Sequence, residues 1–313
     1  MSRVLITGVT GQDGSYLSER LLEGGHQVHG LVRPDDSGPV DPRVVPHAGD
    51  LLDGDGLAAV VAEVRPDVIY NLAGLTSVAA SWQDPVLAAQ TTGLAVLHLL
   101  EAARRLHEAG HSVRFLQASS SEIFGDSPDL PQHEDSPIRP ISPYGAAKAF
   151  AHASTAIQRS HGLHASTVIL YGHESPRRPP TFAARKITAG VAAIARGEAE
   201  TLTLGNLDAA RDWGWAPDFV SAMLTVVAHD EPADFIVSTG EAHTVREFVA
   251  TAFAAAGVPD WETRIRIDPA LMRPNDRSVQ IGDATRLRAL GWRPSKTFAE
   301  LVATMVEADL HQY

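Results

Sequence analysis

Tyr144 and Lys148 stand four residues apart in Ser142-Pro143-Tyr144-Gly145-Ala146-Ala147-Lys148. At the start of a helix, residues i and i+4 share one face, so this spacing predicts an ammonium beside a phenol. A free tyrosine has a pKa near ~10, and lowering it to ~7 takes roughly 4 kcal/mol of differential stabilisation. A neighbouring lysine and a cationic oxidised nicotinamide are the obvious sources. Such a pair withdraws the proton of an alcohol while hydride leaves its carbon. Upstream, Gln117-Ala118-Ser119-Ser120-Ser121-Glu122 ends an apolar run and offers hydroxyls and a carboxylate. Oxidising an alcohol requires a hydroxyl, the tyrosine and the lysine. Glu122 is extra, and a carboxylate beside the substrate points to proton abstraction from carbon. Read structurally instead, it is a turn or helix cap.

These groups need a scaffold, and the chain supplies alternating elements. Val4-Leu5-Ile6 reads as a buried strand, followed by glycines and a helical segment around Tyr16 to Leu22 that ends near Gly24-Gly25. Strands follow at Val28 to Val32, Val44-Val45, Asp67 to Leu72, Val113 to Ala118 and Ala165 to Leu170. Helical spacing covers Leu57 to Val64, Pro85 to Ala109, Tyr144 to His161 and Thr181 to Arg196. Strand-helix alternation is the mark of a parallel sheet covered on both faces. The fold class expected is α/β, a Rossmann-type doubly wound parallel sheet over residues 1–170. A smaller, partly interleaved substrate domain is expected over 171–313, with segments returning to the first.

Gly8, Gly11 and Gly14 fall as GxxGxxG in Thr7-Gly8-Val9-Thr10-Gly11-Gln12-Asp13-Gly14, between the first strand and first helix. That context predicts a tight turn that lets a pyrophosphate sit on the helix N-terminus. At the end of the second strand stands Arg33, where an acidic residue would bind a ribose 2′-hydroxyl and an arginine accepts a 2′-phosphate. Arg33 therefore favours NADP over NAD, although Asp35 and Asp36 follow it. Gly49-Asp50-Leu51 is expected to meet the adenine, and Asn71-Leu72-Ala73-Gly74 to line the cofactor.

Composition narrows the alternatives. The 313 residues carry 26 Lys+Arg against 38 Asp+Glu, a formal net charge of −12, and no cysteine. Disulfides, thiolate catalysis and cysteine-held metals are excluded. Sequence-independent nucleic-acid binding, which depends on neutralising phosphates, is disfavoured. MSRVLITG has no leader pattern, and no stretch of 18 uncharged apolar residues occurs, so no membrane span and a cytoplasmic location are expected. A serine hydrolase lacks its GxSxG, and the 14 histidines give no expectation of a metal site.

With these residues in view, the chain resembles the GDP-mannose 4,6-dehydratases, a branch of the extended short-chain dehydrogenase/reductase family. The likeness runs from Val4 to about Leu310. It rests on LITGVTGQDGSYL, QASSSEIFG, SPYGAAKA, HESPRR with TFAARKIT, LGNLDAARDWG, STGEAHTVREF and LGWRP. It implies an NADP-dependent lyase that dehydrates GDP-mannose or a related nucleotide-sugar. The implied catalytic group is Ser120, Glu122, Tyr144 and Lys148. Gly8, Thr10, Gly11, Gln12, Asp13, Gly14, Arg33, Asp50, Leu51, Leu72, Ala73, Gly74, Thr76, His173 and Arg178 are the implied cofactor contacts, with Tyr144 and Lys148. Thr76, Ser120, Glu122, Tyr144, Lys186, Arg211, Arg273 and Asp276 are those implied for the substrate. A homodimer is implied, with the family's homotetramer as the alternative.

The chain also departs from that family. Gly74-Leu75-Thr76-Ser77 replaces Ala-Gln-Ser-His, Gly172 replaces an asparagine, and Arg273-Pro274-Asn275-Asp276-Arg277-Ser278 replaces RPTEVD. The basic, serine-rich loop through which relatives reach a neighbouring subunit's cofactor is here Arg33-Pro34-Asp35-Asp36-Ser37-Gly38. An epimerase or reductase on another nucleotide-hexose would use the same Tyr144/Lys148 pair. A non-catalytic NADP-binding regulator would have no need of all four catalytic groups.

Overall fold

The structure is a computed structural model that describes residues 1–36, 38–272 and 279–311. Its strands are β1 Arg3–Thr7, β2 Gln27–Val32, β3 Val45–Ala48, β4 Val68–Asn71, β5 Arg114–Ser120, β6 His164–Leu170, β7 Gly172–Glu174, β8 Leu202–Leu204, β9 Ala210–Trp215, β10 Asp234–Val237, β11 Ala242–Thr244, β12 Ile265–Ile267 and β13 Val279–Gln280. The α-helices are α1 Gln12–Glu23, α2 Gly54–Val64, α3 Val78–Gln83, α4 Pro85–Ala89, α5 Ala95–Glu108, α6 Pro143–Ser160, α7 Ala183–Ala195, α8 Ala216–Ala228, α9 Val245–Ala255, α10 Thr285–Ala289 and α11 Phe298–Leu310.

Seven strands form one parallel sheet in the order β10-β6-β5-β4-β1-β2-β3. The connection reverses direction between β1 and β4, and ligands of such sheets bind beyond the carboxyl ends of strands at that switch. Strand periodicity places the core on both faces. Val4 and Ile6 of β1 join Leu17 and Leu21 of α1 and Phe219 and Met223 of α8. Leu5, between them in sequence, joins Val61 of α2 and Leu99 of α5 on the other face. A third cluster ties α7, α9 and α11 together around Trp213 of β9. Both β10 and α8 come from the second half of the chain yet build onto the first sheet.

The expected single helix from Pro85 to Ala109 is α4, a π-turn at Gln90–Leu94 and α5 in succession. Hydrophobic spacing continues through a π-turn, so periodicity does not reveal one. The run Pro85–Glu108 is long and apolar enough, by length and composition, to cross a bilayer, and half of its most apolar stretch is buried. That buried side packs against α2 and α6. The short helix α3, unforeseen in the sequence, is capped by Ser77, whose hydroxyl accepts from the Ala80 amide.

Candidate active site

The glycine-rich turn leaves β1 with Gly8 at φ +74°, a conformation that L side chains rarely adopt. A Cβ there would stand 3.0 Å from the Ala73 amide nitrogen, and one on Gly14 would collide with the Gly8 carbonyl. The turn thus packs against the residues that follow β4, and α1 packs directly onto the turn. No side chain caps α1, so the N–H groups of its first turn face outward for an anion. A cleft of about 490 Å³ runs along this end of α1, lined by Val9–Gln12, Ser15, Val40 and Arg177 among others. It borders the turn but does not reach Tyr144. These features fit a dinucleotide.

The loop after β2 folds back over the turn. Thr10 donates its hydroxyl to Asp36 at 2.7 Å, and the Gly38 amide donates to the same carboxylate at 2.8 Å. These two bonds, the amide first, hold the Asp36 carboxyl below its ordinary range. The side chain of Arg33 is 62% exposed and lies 3.8 Å from Asp35. Asp50 accepts from the Leu52 amide, Leu51 packs against the α2–α5 cluster, and Thr76 is exposed.

A buried polar chain crosses the three central strands. Thr7 donates to Asn71 Oδ1 (2.6 Å), Asn71 Nδ2 to Gln117 Oε1 (2.8 Å), and Gln117 Nε2 to the Ala118 carbonyl (2.8 Å). Lys148 Nζ donates to that same carbonyl at 2.8 Å. Thr7 Oγ1 also accepts from the Leu72 and Ala73 amides, both at 3.1 Å. Strand β4 stops at Asn71 while β5 runs on to Ser120, which frees this edge of β5 for side chains. Asn71 and Gln117 therefore belong to the frame of the site. Asn71, expected to line the cofactor, instead spends its side chain on Thr7 and Gln117 of the two neighbouring strands, and both amides are 1% exposed.

The expected Tyr144 and Lys148 pair forms on α6. Ser142 caps the helix through the Gly145 amide, Pro143 occupies its first turn, and Ser81 of α3 accepts from the Tyr144 amide at 3.2 Å. Lys148 Nζ lies 5.8 Å from the centre of the Tyr144 ring. Burial pushes the phenol up to about 12, against the pull of its hydrogen bond with Ser120. Burial likewise pushes the Lys148 ammonium down to about 8, opposed by Asp13. The chain by itself thus holds the phenol high, and the lowering expected of it draws on the charge of the oxidised nicotinamide as well as on the lysine. Desolvation outweighs every charge in reach.

Ser120 ends β5 and accepts the Glu122 amide at 3.3 Å. Glu122, half-buried in the 3₁₀ turn Ser121–Ile123, accepts at 3.4 Å from Gln280 Nε2 of β13. No motif marked Gln280. Its only signal is a polar residue beside Ile281, in a two-residue strand too short to show a period.

The HESPRR segment closes the other side. His173 Nε2 lies 2.8 Å from Asp13 Oδ2, its Nδ1 lies 2.7 Å from the Tyr171 carbonyl, and its ring stacks on Phe219. Burial disfavours the imidazolium, but Asp13 outweighs burial and holds it above its usual range. Burial would also raise Asp13, yet His173 and Arg178 bring it below its ordinary value. Gln12 donates to the His173 carbonyl (3.2 Å) and accepts from Ser175 (2.8 Å). Arg178 pairs with buried Glu174 at 3.3 Å and lies over the Phe182 ring. Arg177 turns away to Ser15 and Glu19 of α1.

Of the expected substrate contacts, Arg211 sits on β9 as register partner of Gln280, and Lys186 lies half-buried on α7. Arg273 and Asp276 lie outside the described residues. Gly172 begins β7 against β9, where a Cβ would stand 2.9 Å from the Asp212 carbonyl. Close strand packing accounts for the glycine at that position.

A family model described as GDP-mannose 4,6 dehydratase matches residues 5–305. The chain is 40% identical to the GDP-mannose 4,6-dehydratase of Yersinia enterocolitica, covering 100% of this chain and 95% of that protein. It is 40% identical to the GDP-mannose 4,6 dehydratase of Homo sapiens, over 98% of this chain and 91% of that one. Among solved structures, Thermus thermophilus UDP-glucose 4-epimerase in complex with NAD superposes with a TM-score of 0.86 at 30% identity, covering 99% and 100% of the two chains. RMD from Pseudomonas aeruginosa complexed with NADPH gives 0.82 at 27% identity, over 100% of both.

Proposed function

The chain belongs to the GDP-mannose 4,6-dehydratase family and converts GDP-D-mannose to GDP-4-keto-6-deoxy-D-mannose with a nicotinamide cofactor; from that premise we propose how its own residues carry the reaction. The observation that carries the reading is the meeting of Ser120, Glu122, Tyr144 and Lys148 where β5 ends and α6 begins.

When bound, the nicotinamide accepts hydride from C4 of the hexose and returns it to C6. The C5 proton is not acidic until C4 is a ketone, so oxidation comes first. Tyr144, as phenolate, removes the C4 hydroxyl proton, and Lys148, fixed on the Ala118 carbonyl, supplies positive charge close to the phenol. Ser120 donates a hydrogen bond to the developing carbonyl. Glu122 takes the C5 proton and then delivers a proton to the departing C6 hydroxyl, which leaves as water. Reprotonation at C5 completes the sequence, with no net oxidation.

The resident cofactor we assign is NADP. Gly8, Gly11 and Gly14 would seat its pyrophosphate on α1, and Leu72, Ala73 and Gly74 would border it from β4. Asp13, His173 and Arg178 would close over it from the other side. The exposed guanidinium of Arg33, 3.8 Å from Asp35, is suited to a 2′-phosphate. Residues 1–170 hold this cofactor in our reading, and 171–313 mainly hold the nucleotide-sugar. Lys186, Arg211 and Arg273 would meet its diphosphate, which a chain of net charge −12 must attract locally.

The apolar side chains that α3, the π-turn, α5 and α6 leave exposed, Trp82, Leu94, Leu97, Phe150 and Ile157, support the homodimer of our reading, with a homotetramer as its alternative. Incubation with a panel of GDP-, UDP- and TDP-hexoses tests the whole reading, with 4-keto-6-deoxy products detected by mass spectrometry. GDP-mannose is the substrate expected. Turnover confined to a UDP- or TDP-hexose would overturn the assignment.

A further inference from the structure

Gln280 is the one side chain that the second half of the chain places within hydrogen-bond distance of Glu122 among the described residues. It is 9% exposed, and a buried primary amide costs free energy unless its N–H groups are paired. Its backbone is held from two directions. On one side, Val279 and Gln280 pair with Ala210 and Arg211 of β9. On the other, Gln132 donates to the Ile281 carbonyl (2.9 Å) and accepts from the Asp283 amide (2.8 Å), while Ser238 donates to the Gly282 carbonyl (2.9 Å). Gly282 itself leaves no room for a Cβ against the Tyr171 ring. The amide is therefore presented to the carboxylate by a fixed strand, not by a loose loop.

We propose that Gln280 is a positioning residue for Glu122, donating an N–H to one carboxylate oxygen so that the other faces the C5–H of the sugar. This rests on the role given to Glu122 above and assigns β13 a part in the elimination half of the reaction. An N–H donor favours the ionised carboxylate, the form that removes the C5 proton. It also restricts rotation of the side chain about its last bond. C4 oxidation, which runs through Tyr144, Lys148 and Ser120, does not involve Gln280. The two halves of the reaction therefore separate in its variants.

Gln280→Met keeps length and volume but removes the N–H, and Gln280→Glu keeps the shape while replacing the donor with an acceptor. Each is expected to lower kcat for GDP-mannose about tenfold, the lower end of the loss for a hydrogen bond to a charged group, with KM within about twofold of wild type. Because oxidation continues while elimination slows, stopped-flow absorbance of the reduced nicotinamide should show a transient that is larger and longer-lived than in wild type. In a Glu122→Gln background, Gln280→Met should cause no further loss. An unchanged transient, a rise in KM matching the fall in kcat, or a further tenfold loss in the Glu122→Gln background would overturn the proposal. A fully active Glu122→Gln variant would instead remove the reading on which it rests.

Discussion

Cutting the polar chain that runs from Thr7 through Asn71 and Gln117 to the Ala118 carbonyl should cost less when both amides go than the separate cuts imply. Gln117→Leu removes two hydrogen bonds of 2.8 Å, each worth about 1 kcal/mol net. It also strands the Asn71 amide, 1% exposed, and an unpaired buried donor costs roughly 1–3 kcal/mol more. The sum is about 3 kcal/mol. Asn71→Leu loses its bonds to Thr7 and Gln117 and strands the Gln117 oxygen, again about 3 kcal/mol by the same reckoning. In the double variant neither stranded amide remains. Thr7 still accepts from Leu72 and Ala73, and Lys148 still holds the Ala118 carbonyl. The double variant should then lose only the three bonds, about 3 kcal/mol, roughly 3 less than the sum of the singles. Urea unfolding of wild type, both singles and the double, read at equal m-values, gives the coupling directly. Additivity within about 0.5 kcal/mol would refute the connected chain.

Glu122→Gln should retain fold and cofactor binding but lose about 10²–10⁴-fold in water elimination, with near-wild-type product formation as the contrary result. Arg33→Ala should weaken NADP about tenfold, the scale of one charge-assisted hydrogen bond, and leave NAD unchanged in isothermal titration; equal affinity of wild type for both would show the arginine to be a surface residue. Burial raises the Asp212 carboxyl to about 6 from 3.8, in spite of its bonds from Thr239 and Gly240. Between about pH 4 and 6 the folded chain thus binds a proton that the unfolded chain releases, and stability on this account falls by about 3 kcal/mol as pH rises. Melting curves of wild type and Asp212→Asn across that window should differ in slope accordingly; parallel curves would contradict it.

What the sequence made legible, and what it did not, follows from where the information lies. Val4-Leu5-Ile6 and the glycines after it identify β1, the turn and α1, because buried strands and positive φ tolerate few residue types. Tyr144 and Lys148 announce themselves by helical spacing. The π-turn and α3 carry no period of their own, so the sequence reads as one long helix across the first and shows nothing of the second. Asn71 and Gln117 were visible as polar residues in apolar strands, yet only the register Asn71↔Gln117 shows that they serve each other. Gln280 acts on Glu122 across 158 positions of chain, a pairing that no local pattern encodes. The four-residue spacing of Tyr144 and Lys148 conveys proximity and says nothing about burial, which holds the phenol high in the chain by itself.

The most direct test of the central claim is to follow one hydride. GDP-mannose deuterated at C4 is incubated with the protein, and the product is examined by NMR and mass spectrometry. If C4 is oxidised, water is lost between C5 and C6, and the same hydride returns, the product is GDP-4-keto-6-deoxy-mannose carrying the deuterium on C6 of the same molecule. Deuterium lost to solvent, or a product that keeps its C6 hydroxyl, would contradict the account.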